Sequence, residues 1–388
     1  MRIVQVANFV TPTSGGLRRT LEALGPRYVE AGHRCTFVHP GPSRQSGVVS
    51  GVRVEQIAGA PLPMSGGYRV ITRRVPLQRL LTAIRPDVVE LSDKTTLSWL
   101  PEWLWRHGIP TVLFAHDRHD AMLDGTLPNW LPWRSAIGAM ATKTAASSAA
   151  VVCASDFCAE QFGEPFDRLC RVPLGVDLDT FHPRRAPDVR TLGPEPIPLA
   201  FVGRLSPEKR PALAIEAVRE LVSRGVDVKL RVVGDGPLRG QLEALAMGLP
   251  VMFVGHLENR ASVATILAGA RAIIAPCGTE TFGLAVLEAM ACGTPAIVPP
   301  DGGAKELVVD GTGLVAAPSG AAIADAVGRI LEGPAGAQVP TVSHARRAVL
   351  VGRNGGENAR ASARCCHPVS TRLLRTPGFK RALTVGSF

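Results

Sequence analysis

Short runs rich in β-branched residues alternate with longer amphipathic stretches along this chain, and the alternation occurs twice. The first series reads RIVQVA, LRRTLEALGPRYVEAGH and RCTFVH, followed by PDVVEL, TVLFAH and AVVCAS. The second reads PLAFVGRL, PALAIEAVRELVSRG, VKLRVVGDG, PLRGQLEALAMG and VMFVGHL, then SVATILAGA, RAIIAPC and PAIVPP. Strand, helix, parallel strand is the repeating unit of a doubly wound α/β sheet, with helices on both faces. Between the two series, six prolines fall in the 26 residues from Pro173 to Pro198. Proline ends helices and interior strands alike. The pattern predicts two Rossmann-like α/β domains facing across a cleft, because ligands of such sheets sit beyond the carboxyl ends of the strands. The expected divisions are 1–173 for the first domain, 174–197 for a linker, 198–332 for the second domain and 333–388 for a basic tail.

Composition serves mainly to exclude. A hydrophobic content of 46% with 20% charged residues suits a globular protein rather than a disordered one. The net charge of +10 would suit a nucleic-acid partner, but its location argues otherwise. From Val339 to Phe388 nine Lys and Arg face a single acid, Glu357, so the tail holds +8 and the rest of the chain is close to neutral. No nucleic-acid partner is expected. Eight cysteines are scattered without a C-x-x-C pair, several in apolar stretches, as reduced thiols would be. The start MRIVQVANFV turns polar too soon for a signal peptide, and no uninterrupted apolar run reaches membrane-spanning length. A cytoplasmic protein is expected.

Neither domain offers G-x-G-x-x-G after its first strand: VVGDGPLRG has Gly234 and Gly236 but lacks the third glycine. A dinucleotide enzyme is therefore disfavoured. The chemistry gathers instead in GTETFGLAVLEAMACGTP, residues 278–295. An apolar helix is expected to begin near Phe282, Gly283 and Leu284, and its free N–H groups would suit a phosphate. Glu280 precedes it, and Glu288 lies inside it, eight residues further on. If the stretch is helical that separation is roughly 12 Å, about the reach of a sugar–diphosphate–ribose. Glu288 either holds ligand hydroxyls or forms a buried ion pair with a nearby arginine.

In FVGRLSPEKRP, Arg204 and Lys209 could reach a diphosphate and stabilise its charge without a metal; the alternative is a solvated basic loop. In ANFVTPTSGGLRR, Gly15 and Gly16 either let backbone N–H groups approach an anion or form a plain βα turn. His116 ends the strand TVLFAH, where it either meets a sugar hydroxyl or is a core histidine. No aspartate pair with metal-ligand spacing accompanies Arg204 and Lys209, so a metal is not implied, and no cofactor is expected.

Taken in order, Gly15-Gly16, His116, Arg204 with Lys209, and Glu280-x7-Glu288 around Gly283 resemble the retaining nucleotide-sugar glycosyltransferases of the GT-B fold. The E-x7-E spacing is the specific element, and the resemblance covers residues 1 to about 332. More narrowly, MRIVQVANFVTPTSGGLRRTLEALG, SGGYRVI, VPLGVDLDTFHPRR and MACGTPAIV are similar to the mannosyltransferases that act on phosphatidylinositol mannosides. The resemblance implies GDP-mannose as donor and a glycolipid acceptor, the dimannoside being converted to the trimannoside. It implies Glu288 on the ribose, Glu280 and His116 on the donor sugar, and the N–H groups of Phe282 to Leu284 on the diphosphate. Arg204 and Lys209 would stabilise the leaving GDP, with Gly16 closing over it. The departing phosphate would take the acceptor's proton, so no protein nucleophile is implied.

A lipid acceptor implies peripheral contact with the inner face of the plasma membrane. YRVITRRVPLQRLLTAIRPD carries Arg69, Arg73, Arg74 and Arg79, and could lie on anionic lipid or be a solvated face, with Pro76 expected to break any long helix. After Gly333 the chain departs from the family, which usually closes with a charged amphipathic helix. Two alternatives stay open: a UDP-sugar enzyme with a soluble acceptor, and an inactive sugar-nucleotide-binding protein with an altered C-terminus.

Overall fold

The computed structural model describes residues 1–10, 16–62, 67–118, 132–163, 168–186, 196–309 and 311–332. They fall into two compact units, with the division after Pro173.

The first unit is built on β1 (Arg2–Val6), β2 (Arg34–Gly41), β3 (Gln45–Val49) and β4 (Val52–Ala58), with a short ribbon of β5 (Ala60–Pro61) and β6 (Arg69–Val70). It continues through β7 (Val88–Leu91), β8 (Thr111–Ala115), β9 (Ala150–Cys153) and β10 (Leu169–Arg171). Eight of these form one sheet in the order β10-β9-β8-β7-β1-β2-β4-β3. Every neighbouring pair is parallel except β3 with β4. Alternate residues of the same strands feed two cores, as the pleat requires. Val4, Val6, Leu91, Leu113 and Val151 pack with Leu77 and Leu81 of α2 (Arg74–Ile84) and Leu100 and Leu104 of α3 (Leu100–Arg106). Ile3, Val88, Val112 and Val152 pack with Leu21 and Tyr28 of α1 (Gly16–Glu30). The chain continues through α4 (Trp133–Ala146) and strand β9 to α5 (Asp156–Ala159). Among the described residues no helix is long and apolar enough to cross a membrane.

The second unit holds β11 (Ile197–Val202), β12 (Val228–Val233), β13 (Val251–Gly255), β14 (Ala272–Ile274), β15 (Ala296–Val298) and β16 (Gly313–Val315). Their order is β13-β12-β11-β14-β15-β16, all parallel. Its helices are α6 (Pro211–Ser223), α7 (Arg239–Leu245), α8 (Arg260–Ala268), α9 (Leu284–Ala291) and α10 (Gly320–Glu332). In the first sheet the order turns back between β1 and β7, in the second between β11 and β14. Such switch points leave a crevice at the carboxyl ends of the strands, where α/β proteins bind ligands.

The proline-rich stretch after Pro173 is tied down as far as Ala186. The Asp177 carboxylate accepts from the Asp179 N–H at 3.0 Å and the Thr180 hydroxyl at 2.6 Å, and the turn places Phe181 in full burial.

Candidate active site

The switch point of the second unit is shaped by glycine. The N–H of Gly203 donates to the Val233 carbonyl at 3.0 Å and that of Leu205 to the Asp235 carbonyl at 3.0 Å, which locks the loops after β11 and β12 together. A Cβ on Gly234 would lie 1.9 Å from the Gly203 carbonyl oxygen, and one on Gly236 would lie 2.4 Å from that of Leu205. These glycines, which failed the dinucleotide test, are there for close backbone approach. Arg204 leaves β11 half-buried, and a 3₁₀ turn over Pro207–Lys209 brings Lys209 round.

Across the switch point, the loop after β14 carries Glu280, whose carbonyl accepts from the Gly303 N–H at 2.6 Å. Lys209 Nζ donates to Glu280 Oε2, so residues 71 positions apart form one ion pair. Burial alone would pull the Lys209 ammonium down, but the neighbouring Glu280 charge and hydrogen bond outweigh it and hold it above the ordinary lysine range. Each side chain keeps about 29% and 28% of its surface exposed, so the pair can still meet a ligand. Arg210 also reaches this loop, since a Cβ on Gly278 would lie 3.6 Å from its Nη1. Its left-handed φ of 48° marks it as a shaped turn, a feature that sequence pattern does not reveal.

Helix α9 begins at Leu284, as expected, with Gly283 as N-cap at φ 97°. The first bond within it runs from the Leu287 N–H to the Gly283 carbonyl at 3.0 Å, leaving the N–H groups of Leu284 to Val286 outside the helical ladder. Phe282 is buried. The 12 Å expected for a helical Glu280–Glu288 separation does not apply, because residues 280–283 are not helical. Glu288 is only 4% exposed and pairs with Arg260 Nη2. Of the two roles left open for it, the buried ion pair is therefore present. Arg260, in the GHLENRA stretch, was not foreseen as its partner.

In the first unit, Gly16 is the exposed first residue of α1, while Gly15 lies outside the described residues. His116 directly follows β8, half-buried and stacked on Phe114 with centroids 5.8 Å apart. Burial pulls its imidazole down to about 4; Asp117 opposes this and Lys94 adds to it, so the ring is neutral at pH 7. Beside it is a polar cluster missed in the sequence. Lys94, 2% exposed, donates to the carbonyl of Asp117 and at 2.5 Å to its carboxylate. Asp93 accepts from the Thr95 and Thr96 N–H groups at 2.8 and 3.0 Å and from the Asn8 amide at 3.0 Å. Asn8 and Lys94 follow β1 and β7, so this cluster sits at the first sheet's own switch point.

The four arginines of the basic stretch differ in their surroundings. Arg73, Arg74 and Arg79 are exposed, with the Arg74 guanidinium 5.1 Å from the Trp99 ring centroid. Arg69 is half-buried and donates to the Gly59 carbonyl at 2.9 Å. Pro76 does not break α2, because it falls in the first turn, where its missing N–H would have no helical acceptor.

The chain belongs to the GT-B glycosyltransferases: residues 14–180 match Glycosyltransferase Family 4 and residues 186–347 match Glycosyl transferases group 1. It is 40% identical over 343 residues to the GDP-mannose-dependent alpha-(1-6)-phosphatidylinositol dimannoside mannosyltransferase of Mycobacterium tuberculosis, spanning 86% of this chain and 88% of that one. A GDP-mannose-dependent alpha-mannosyltransferase of Mycolicibacterium smegmatis is 29% identical, covering 79% of this chain and 82% of its own. Among solved structures, sucrose-phosphate synthase from Thermosynechococcus elongatus superposes with a TM-score of 0.71 at 20% identity, over 90% and 94% of the two chains. Anabaena HepE in complex with UDP and glucose gives 0.70 at 19%, over 93% and 99%. The protein is a glycosyltransferase.

Proposed function

We propose that this glycosyltransferase moves mannose, with retention of configuration, from GDP-mannose to a phosphatidylinositol mannoside, the dimannoside becoming the trimannoside. The observation that carries this reading is the 40% identity, sustained over 86% of the chain, to an enzyme named for that donor and acceptor. In this reading the diphosphate lies at the switch point of the second sheet. Arg204 and Lys209 meet its charge, and the N–H groups around Phe282, Gly283 and Leu284 receive its oxygens. Glu280 holds the mannose, and Lys209 keeps that carboxylate oriented until the ligand arrives. Glu288 receives the ribose hydroxyls, and Gly16 closes over the donor.

His116 acts as a neutral hydrogen-bonding group toward the donor sugar, in keeping with an imidazole held uncharged by burial. The acceptor hydroxyl oxygen forms the new bond to the anomeric carbon as the bond to the phosphate breaks. The hydroxyl proton passes to the departing phosphate oxygen, whose negative charge Arg204 and Lys209 stabilise. This chemistry calls for no metal and no protein nucleophile. Arg73, Arg74 and Arg79, with part of Arg69, rest the first unit on anionic lipid at the inner face of the plasma membrane, each contributing ~1 kcal/mol near the surface.

The donor is tested by calorimetric titration of the purified chain with GDP and with UDP, without added metal. Tighter binding of GDP is expected. A preference for UDP would replace this reading with that of a UDP-sugar enzyme.

A further inference from the structure

Glu288 is the one acidic residue in α9, and it is buried on a helix whose other residues are apolar. A carboxylate in such surroundings takes up a proton unless a cation accompanies it. A protonated carboxyl has one oxygen turned into a donor, whereas the ionised form offers about four acceptor sites over its two oxygens. To receive two neighbouring sugar hydroxyls and keep its partner, Glu288 must stay ionised.

Arg260 supplies the cation from the first position of α8. Its Nη2 donates to Glu288 Oε1, and the guanidinium carbon stands 4.6 Å from the centroid of the Phe181 ring. Phe181 is fully buried and fixed by the Asp177 turn, so the arginine is held on two sides. A second observation sets this apart from an ordinary structural pair. Arg260 Nη1 is buried and has no hydrogen-bond partner among the described residues. An arginine kept only for stability would use both arms of its fork, and an unmet buried donor is tolerated mainly where function demands the geometry.

We propose that Arg260, held flat by Phe181, is the positioning residue that keeps Glu288 ionised and aligned to receive the ribose hydroxyls of the nucleotide. The inference rests on the proposed ribose role of Glu288. It adds that the discrimination belongs to the Phe181–Arg260–Glu288 unit rather than to the glutamate alone.

The test is calorimetric titration with whichever of GDP and UDP the chain binds, and with the 2′,3′-dideoxy form of that nucleotide. The wild-type chain should bind the ribose form roughly tenfold or more tightly, as hydrogen bonds to a charged acceptor would give. Glu288→Gln should collapse that ratio to nearly one, and Arg260→Met should collapse it to the same extent. Arg260→Lys should restore most of it. If Arg260→Met does not fold, Arg260→Gln carries the same comparison. Collapse in Glu288→Gln with a wild-type ratio in the Arg260 variants overturns the inference and leaves the ribose reading standing. An undiminished ratio in Glu288→Gln, or no discrimination by the wild-type chain, overturns both.

Discussion

His116 shows what a single residue's surroundings decide. An exposed imidazole would be half charged near pH 6.5. Here burial lowers it to about 4, with Asp117 opposing and Lys94 adding to the effect. The unfolded chain then binds more protons than the folded one between those two values, so this residue's contribution to stability falls as pH drops from 6.5 toward 4. The full difference is up to about 3 kcal/mol, less wherever water reaches the ring. A His116→Gln variant should therefore gain stability relative to the wild-type chain as the solution is acidified through that window, in denaturant titrations at a series of pH values. A constant difference would mean that the imidazole titrates normally. Lys209 and Glu280 form the contrasting case: both remain partly exposed, so their pairing contributes little to stability and leaves them open to a ligand.

At the scale of elements, the site depends on the loops that close the strands more than on the strands themselves. Gly234 has a φ of 134° and abuts the Gly203 carbonyl, so even one added methyl must push the β11 and β12 loops apart. Gly234→Ala is expected to cost roughly 2 kcal/mol or more, and to weaken nucleotide binding by displacing Arg204. Gly248→Ala is the control: it also has a positive φ, of 75°, but nothing within 4 Å of the added Cβ. It should cost only about 1 kcal/mol and leave binding unchanged. Denaturant unfolding and calorimetry of the two variants separate these effects, and equal losses in both would contradict the account of the loops.

The strands that form the centre of each sheet, and helices α1, α6 and α9, were legible in the sequence as short apolar runs alternating with longer amphipathic ones. The start of α9 at Gly283-Leu284 was legible for the same reason, coupled with the glycine. What escaped had no period. The β3–β4 hairpin is antiparallel at an edge, where Val48 and Val49 are exposed and no buried face enforces a pattern. Arg260 lies 28 residues from Glu288, and Lys94 lies 23 from Asp117. Such pairings are set by strand order, and a single sequence does not display strand order. Pro76 misled in the opposite sense, since proline is tolerated in a first turn but not in a helix interior.

For the whole molecule, the two units repeat one architecture, and each places polar residues at its own switch point. In the second unit these are Arg204, Lys209 and Glu280; in the first they are Asn8, Asp93 and Lys94. The proposed lipid contact draws on Arg73, Arg74 and Arg79, which are exposed on or beside α2 together with Val75, itself 53% exposed. The basic tail from residue 333 lies outside the described residues, and every proposed donor contact is made upstream of it.

The most direct measurement is mannose transfer by the purified full-length chain, from radiolabelled GDP-mannose to phosphatidylinositol dimannoside in vesicles containing anionic lipid. The account predicts a labelled trimannoside with the anomeric configuration of the donor, and no such product from the Glu280→Ala chain. Absence of label in the lipid, or equal labelling by Glu280→Ala, would contradict it.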